Sequence, residues 1–273
     1  MLIVIGAGIL HASWNAITKG LDDRLVAFAL IGVAATAGGG ITLLFTGMPY
    51  RAAIPFALAS AVVHVAYQIG LMASYRVGAF NQAYPIARGT SPLVVALGAY
   101  VFANEHLSAF ALGGVVLLAF GLMSLALSSG RLSSRDWPAV AAALLTGLTI
   151  ATYTLVDGMG VRRAHDPYAY AGLIFLLQGP VFTAAALVRR PLSTWTRTSV
   201  LSKGLTAGVL SLVAYGAVLW AQTRAPLAEV AALRETSVVA AAVIGTMFFS
   251  ERFGRRRVAA AVVVAAGIIL IAT

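Results

Sequence analysis

Two runs in this chain have the residue types to hold a small charged ligand. Arg88-Gly89-Thr90-Ser91 and Arg234-Glu235-Thr236-Ser237 are near copies 146 positions apart, each setting a guanidinium and hydroxyls in an otherwise apolar stretch. A guanidinium presents a planar fork of N–H donors that matches a carboxylate. Other polar groups recur in similar apolar surroundings. His11, Trp14, Asn15 and Thr18 are spaced by three or four, as are His64, Tyr67 and Gln68, so each set shares one helical face. Tyr84, Tyr153, Asp157, Tyr215 and Glu229 complete the group. The chemistry these residues suit is binding rather than bond-breaking. Arg88 and Arg234 would take a substrate carboxylate, and Asp157, Glu229 or Glu235 an ammonium. Trp14, Tyr67, Tyr84, Tyr153 and Tyr215, with Asn15 and Gln68, would wall in the rest of the substrate. The competing reading is structural: Arg234 with Glu235, or Arg88 with Glu229 or Asp157, are ion pairs gluing helices, and the aromatics fill gaps. His11 and His64 titrate near neutrality when unperturbed, and both read as hydrogen-bonded packing residues.

The elements that must carry these residues follow from composition. The chain has 273 residues, 60% hydrophobic and 10% charged, against about 25% charged in soluble domains. So few charges cannot cover a water-exposed globule, and a soluble fold is excluded. The net charge of +10 comes from Lys and Arg clustered between apolar runs, the distribution of a membrane protein rather than a nucleic-acid binder. A membrane-crossing helix needs about 20 apolar residues, because hydrocarbon cannot satisfy an exposed backbone. Ten windows of that kind fall at 2–19, 25–46, 53–74, 78–102, 107–128, 137–158, 167–188, 204–223, 226–249 and 256–273. Short polar breaks separate them and leave no room for an extramembrane domain.

The two halves, 1–130 and 131–273, read as copies. Beyond the Arg-x-Thr-Ser runs, the same offset pairs Phe102 with Phe248, Glu105 with Glu251 and Gly121 with Gly267. Allowing two residues of slack, Val65-Ala66-Tyr67 matches Val213-Ala214-Tyr215, and Arg76 matches Arg224. Five is odd, so the second copy enters the membrane from the opposite side. The expected fold is an all-α integral membrane protein of ten transmembrane helices arranged as two inverted five-helix repeats, one membrane domain overall, as in secondary transporters. Pro85 and Pro92 should break the fourth helix, since each removes an intrahelical hydrogen bond. Gly113, Gly114 and Gly121, with Ala259 to Ala261 and Gly267, are small-residue faces that would join the halves or make a dimer. Trp137 and Trp195 sit at loop boundaries and read as interface anchors. Glu105 and Glu251 close their helices and read as caps or loop anchors.

The halves resemble the drug/metabolite transporter superfamily, and within it the EamA-type branch. The residues that carry the resemblance are Asn104-Glu105-His106-Leu107 followed by Gly113 and Gly121, and Ser250-Glu251-Arg252-Phe253 followed by Gly267. That branch usually has Gly before each Glu, where this chain has Asn104 and Ser250. The resemblance implies a ten-helix carrier for small metabolites, often an amino-acid exporter of the bacterial inner membrane.

The loops after odd-numbered windows hold thirteen Lys and Arg, and those after even-numbered windows hold Arg51, Arg162, Arg163 and Arg224. The rule that short cytoplasmic loops are basic then places both termini outside, whereas the family resemblance implies termini inside. The leading function is a secondary transporter for amino acids or related amines, working by alternating access through a central cavity. Energy would come from the solute gradient or from protons, with His11, His64, Glu229 or Asp157 as carriers. An enzyme is disfavoured: there are no cysteines, no His-Glu-x-x-His run, no Gly-x-Ser-x-Gly elbow and no P-loop. A channel should show rings of like charge, which this mixture of signs is not. The expected partners are a small-molecule substrate and the lipid bilayer, with no nucleic acid, cofactor or metal, in a monomer or homodimer.

Overall fold

A computed structural model describes residues 1–74, 80–128, 137–240 and 255–272. Among them there are ten α-helices and no strand: α1 Leu2–Lys19, α2 Arg24–Thr46, α3 Ile54–Ser74, α4 Phe80–Ala103, α5 Ala109–Ser128, α6 Trp137–Val161, α7 Pro167–Arg189, α8 Thr198–Gln222, α9 Leu227–Arg234 and α10 Arg255–Ala272. Among the described residues, six stretches are long and apolar enough to cross a membrane: Arg24–Thr46, Arg51–Gly70, Pro85–Ala103, Val140–Val161, Pro167–Arg189 and Thr198–Gln222. Ala109–Leu125 and Val258–Ile271 are shorter apolar stretches. The chain forms two compact units, one of Leu2–Val65 with Val156–Arg224, the other of Ala66–Leu155 with Ala225–Thr273 and Met1. Both halves of the sequence contribute to each unit, and α3 and α6 give residues to both.

In the first unit α2 lies antiparallel on α7, and glycines set the approach. A Cβ on Gly39 would come within 2.6 Å of the Gly172 carbonyl oxygen, and one on Gly179 within 2.6 Å of that of Gly32. Both helices begin on an aspartate. The Asp23 carboxylate accepts from the N–H of Leu25 at 2.9 Å and Val26 at 3.2 Å, and that of Asp166 accepts from Tyr168 at 2.7 Å, with Pro167 at the first helical position. Arg190, just past α7, closes an ion pair with Asp23. At the far end of α2, about 35 Å away at 1.5 Å per residue, Tyr50 stacks on His165 at 4.5 Å and Arg163 lies over the Phe56 ring at 4.7 Å.

Two expectations fail in this unit. Trp195 is not an interface anchor: it is 6% exposed and packs on Val26, Ala29, Leu30 and Ala186, whereas Trp137 is 67% exposed. The turn at Leu192–Thr194 folds the indole back onto α2 and α7, and it lets α8 begin at Thr198, six residues before the expected window.

In the second unit α4 runs unbroken through Pro85 and Pro92, contrary to expectation. Close neighbours hold it. A Cβ on Gly89 would lie 3.1 Å from the Ala119 carbonyl oxygen of α5, and one on Gly147 of α6 would lie 2.7 Å from that of Ala87. The break falls on the ninth segment instead, where one helix over 226–249 was expected. There α9 ends after eight residues, the Glu235 N–H donates to the Ala232 carbonyl at 3.0 Å, and 236–240 is helical again. Bonds spaced by three tighten the backbone there, and the consecutive charges of Arg234 and Glu235 are both buried.

Asn104 ends α4 at φ +52°, a left-handed conformation that Asn tolerates better than most side chains. The following Glu105 carboxylate accepts from the Leu227 N–H at 2.7 Å and so caps the start of α9, the loop-fixing role expected of it. Glu251, Ser250, Arg252 and Arg76 lie outside the described residues. The small faces of α5 and α10 meet each other: a Cβ on Gly114 would be 2.7 Å from the Gly267 carbonyl oxygen, and one on Gly121 would be 3.0 Å from the Val264 nitrogen.

Candidate functional site

The second unit brings Arg88 of α4 against the break after α9. Its Nε is 2.8 Å from a Glu235 carboxylate oxygen, and its Nη2 donates to the Ser237 hydroxyl. The Nε–Glu235 approach falls outside hydrogen-bond geometry, so this is a contact ion pair. Arg234 Nη2 donates to the Tyr153 hydroxyl at 3.3 Å, and its guanidinium lies 5.6 Å from the Tyr153 ring centre. Tyr153 in turn meets Tyr67 of α3 edge to face at 5.5 Å. Arg88, Arg234 and Glu235 are 1%, 3% and 0% exposed, and Glu235 lies within electrostatic reach of both guanidiniums. Two guanidiniums and one carboxylate are thus gathered in this trio.

The apolar frame is Val95 and Ala99 of α4, Ala151 and Leu155 of α6, and Leu227, Ala228 and Ala231 of α9. It fixes the helix faces from which Arg88, Tyr153 and Arg234 project. Such an arrangement can take a carboxylate on the guanidiniums, an ammonium on Glu235, and an apolar group against Tyr67 and Tyr153.

The first unit holds a network around Asp157 of α6, whose side chain is fully buried. Tyr170 of α7 donates its hydroxyl to one carboxylate oxygen at 3.1 Å, and Tyr215 of α8 donates to the other. The His64 ring of α3 meets the Tyr215 ring edge to face at 5.1 Å, and His64 Nδ1 lies 3.0 Å from the Ser60 hydroxyl. Gly160 makes room for Tyr170, since a Cβ there would sit 2.6 Å from the phenol carbon that bears the hydroxyl.

The residues singled out in sequence thus divide. Arg88, Arg234, Glu235, Tyr153 and Tyr67 form one network, and Asp157 and Tyr215 the other. Trp14 and Asn15 make the hydrogen bonds described for them within α1, Trp14 Nε1 to His11 Nδ1 at 3.3 Å and Asn15 to the His11 carbonyl at 2.9 Å. Gln68 is half-buried on α3. Glu229 is half-buried near Glu105, and five residues from Arg234 put it about 140° around the helix from that guanidinium. The Tyr84 side chain lies outside the described residues. Ser237 and Tyr170 were missed. Ser237 was legible as the end of the repeated Arg-x-Thr-Ser run, whereas Tyr170, near the start of its helix, carries no such signal. Among the described residues no cluster of His, Asp or Glu could hold a metal ion.

Apolar helices of membrane-crossing length, with charge buried between them, define a multi-pass membrane protein. The EamA-like transporter family matches residues 137–273, half of the chain, and the protein belongs to that family, within the drug/metabolite transporter superfamily. One of 28 solved chains that match is a crystal structure 16% identical, covering 98% of this chain and 94% of its own, with a TM-score of 0.78; at that identity the likeness is of fold. No curated protein sequence matches the chain.

Proposed function

We propose that the protein is an inner-membrane exporter of amino acids or closely related zwitterions, and that the Arg88–Glu235–Arg234 trio with Tyr153 and Tyr67 contacts the substrate. The observation that carries this is the gathering of two buried guanidiniums, Arg88 and Arg234, with the Glu235 carboxylate and the Tyr153 hydroxyl and ring. A charged side chain in the middle of a bilayer costs at least about 2.5–3.5 kcal/mol, so a cluster of three points to a functional site. The planar guanidinium fork suits a substrate carboxylate.

Alternating access by two inverted repeats has support from the helix contacts. Gly32 meets Gly179 while Gly39 meets Gly172, and adding 140 turns 32 into 172 and 39 into 179. Likewise Gly121 meets Val264 while Leu118 meets Gly267, and adding 146 exchanges them. Reciprocal contacts between antiparallel helices are what an axis in the membrane plane generates.

The test is uptake by purified protein in proteoliposomes, comparing radiolabelled amino acids with the amines obtained by removing their carboxyl group. Amino acids should compete at least about tenfold better, the worth of one charge-assisted hydrogen bond. Equal competition by the amines overturns the assignment.

A further inference from the structure

The offset of 146 makes Arg88 and Arg234 mates, and likewise Ser91 and Ser237. The contact of Arg88 with Ser237 therefore has a mate of its own, Arg234 with Ser91, and only the first is made. Arg88 Nη2 donates to the Ser237 hydroxyl. Among the described residues the Ser91 hydroxyl has no hydrogen-bond partner, and Arg234 Nη2 goes to the Tyr153 hydroxyl at 3.3 Å instead. In the frame of the same unit both members of such a pair are made, since Gly121 meets Val264 and Leu118 meets Gly267. The serines break an exchange that the frame obeys.

Ser91 is placed to take part. It is 1% exposed and lies one turn past Arg88, about 60° around the helix. That azimuth falls between the face of α4 that carries Val95 and Ala99 toward α9 and the face that carries Ala87 and Gly98 toward α6. The neighbouring Thr90 bonds back to the Ile86 carbonyl at 2.8 Å, as Thr154 does to Ile150 at 2.7 Å, whereas Ser91 makes no such bond. A buried hydroxyl without a partner is destabilising, so its presence calls for a partner in another state. Glu235 lies within electrostatic reach of both guanidiniums and can accompany either.

We propose that Ser237 and Ser91 are alternate seats for the two arginines. In the state seen here Arg88 occupies Ser237; in the opposite-facing state Arg234 occupies Ser91 and Arg88 leaves its seat. Inverted copies exchange conformations when a carrier turns its site from one side to the other, so a contact made by one mate alone marks the state. One hydrogen bond forms as the other breaks, and the relative strength of the two seats sets the populations. This rests on the inverted-repeat carrier reading above and is independent of which substrate is carried.

The chain has no cysteine, so a single introduced thiol reports alone. Ala143, near the start of α6, and Ala99, near the end of α4, are 3% and 1% exposed. The two helices run in parallel, with Ala87 beside Gly147 and Gly98 beside Leu155, so these positions lie toward opposite ends of the unit. The ratio of maleimide labelling rates at Ala143→Cys and Ala99→Cys, in detergent without substrate, follows the balance of states. Ser237→Ala should move this ratio one way and Ser91→Ala the other, each by about tenfold, the worth of a hydrogen bond to a charged group. The double variant should return to within about threefold of the wild type, and so should Ser91→Thr, which keeps the hydroxyl. Shifts in the same direction, a double variant displaced as far as either single one, or no shift overturns the proposal. Should one alanine variant not fold, the other is set against its threonine counterpart: a shift with Ala and none with Thr is expected, and any other result contradicts the proposal. A wild type that exchanges no amino acid in proteoliposomes would sink the substrate reading and leave this ratio to decide the seats.

Discussion

Arg88 Nε lies 2.8 Å from Glu235, and both side chains are 1% exposed, so the fourth helix and the break in the ninth segment are joined by a buried ion pair. Removing one partner strands the other charge, at about 3–5 kcal/mol, whereas replacing both with apolar residues of similar size is often neutral. Arg88→Leu and Glu235→Leu should each lower the unfolding temperature in detergent, and the double variant should recover only part of the loss, since Arg234 also loses the Glu235 carboxylate, while transport stays abolished. Recovery of transport along with stability would make the pair glue and nothing more.

Glu105 reaches across to cap α9 through the Leu227 N–H. Glu105→Ala should destabilise by about 0.5–2 kcal/mol, the range for a lost helix cap. Glu105→Gln keeps an acceptor oxygen and should lose less. Thermal melts of the three proteins give the order; equal melts would mean the contact contributes nothing.

Asp23 makes stability depend on acid. Burial alone would raise its carboxyl pKa, but the hydrogen bond from Arg190, the N–H groups of Val26 and Leu25, and the Arg190 charge together hold it below the usual carboxylate value. A lowered folded-state value means the stabilisation is present above the ordinary carboxylate range and is lost as pH falls through the lowered value. The pair is partly exposed, so its size is that of a surface salt bridge, about 0.2–1 kcal/mol. Melting temperature against pH should show an acid step that Asp23→Asn removes.

Eight of the ten expected windows coincide with helices to within three residues, and a ninth differs only in that α8 starts six residues early, because long apolar runs between charged breaks admit little else. What sequence could not supply was tertiary. Prolines in α4 pointed to a break, yet that helix is continuous and closely packed at Gly89 and Gly147, while the segment with no internal proline breaks at Glu235. Trp195 at a loop boundary had the composition of an anchor and was drawn into the core by a three-residue turn. The Arg88 and Arg234 cluster was legible through the repeated Arg-x-Thr-Ser run. The partners of each polar residue were not, since helical spacing says which face a residue shares and nothing of what that face meets.

The most direct test of the substrate assignment is amino-acid counterflow in proteoliposomes with Arg234→Ala, alongside a melt to establish that the variant is folded. Losing a buried guanidinium–carboxylate contact is worth about 2–5 kcal/mol. Counterflow should therefore fall at least about 30-fold in apparent affinity or vanish, with Arg234→Lys intermediate. A folded Arg234→Ala protein that exchanges amino acids as the wild type does would contradict the assignment.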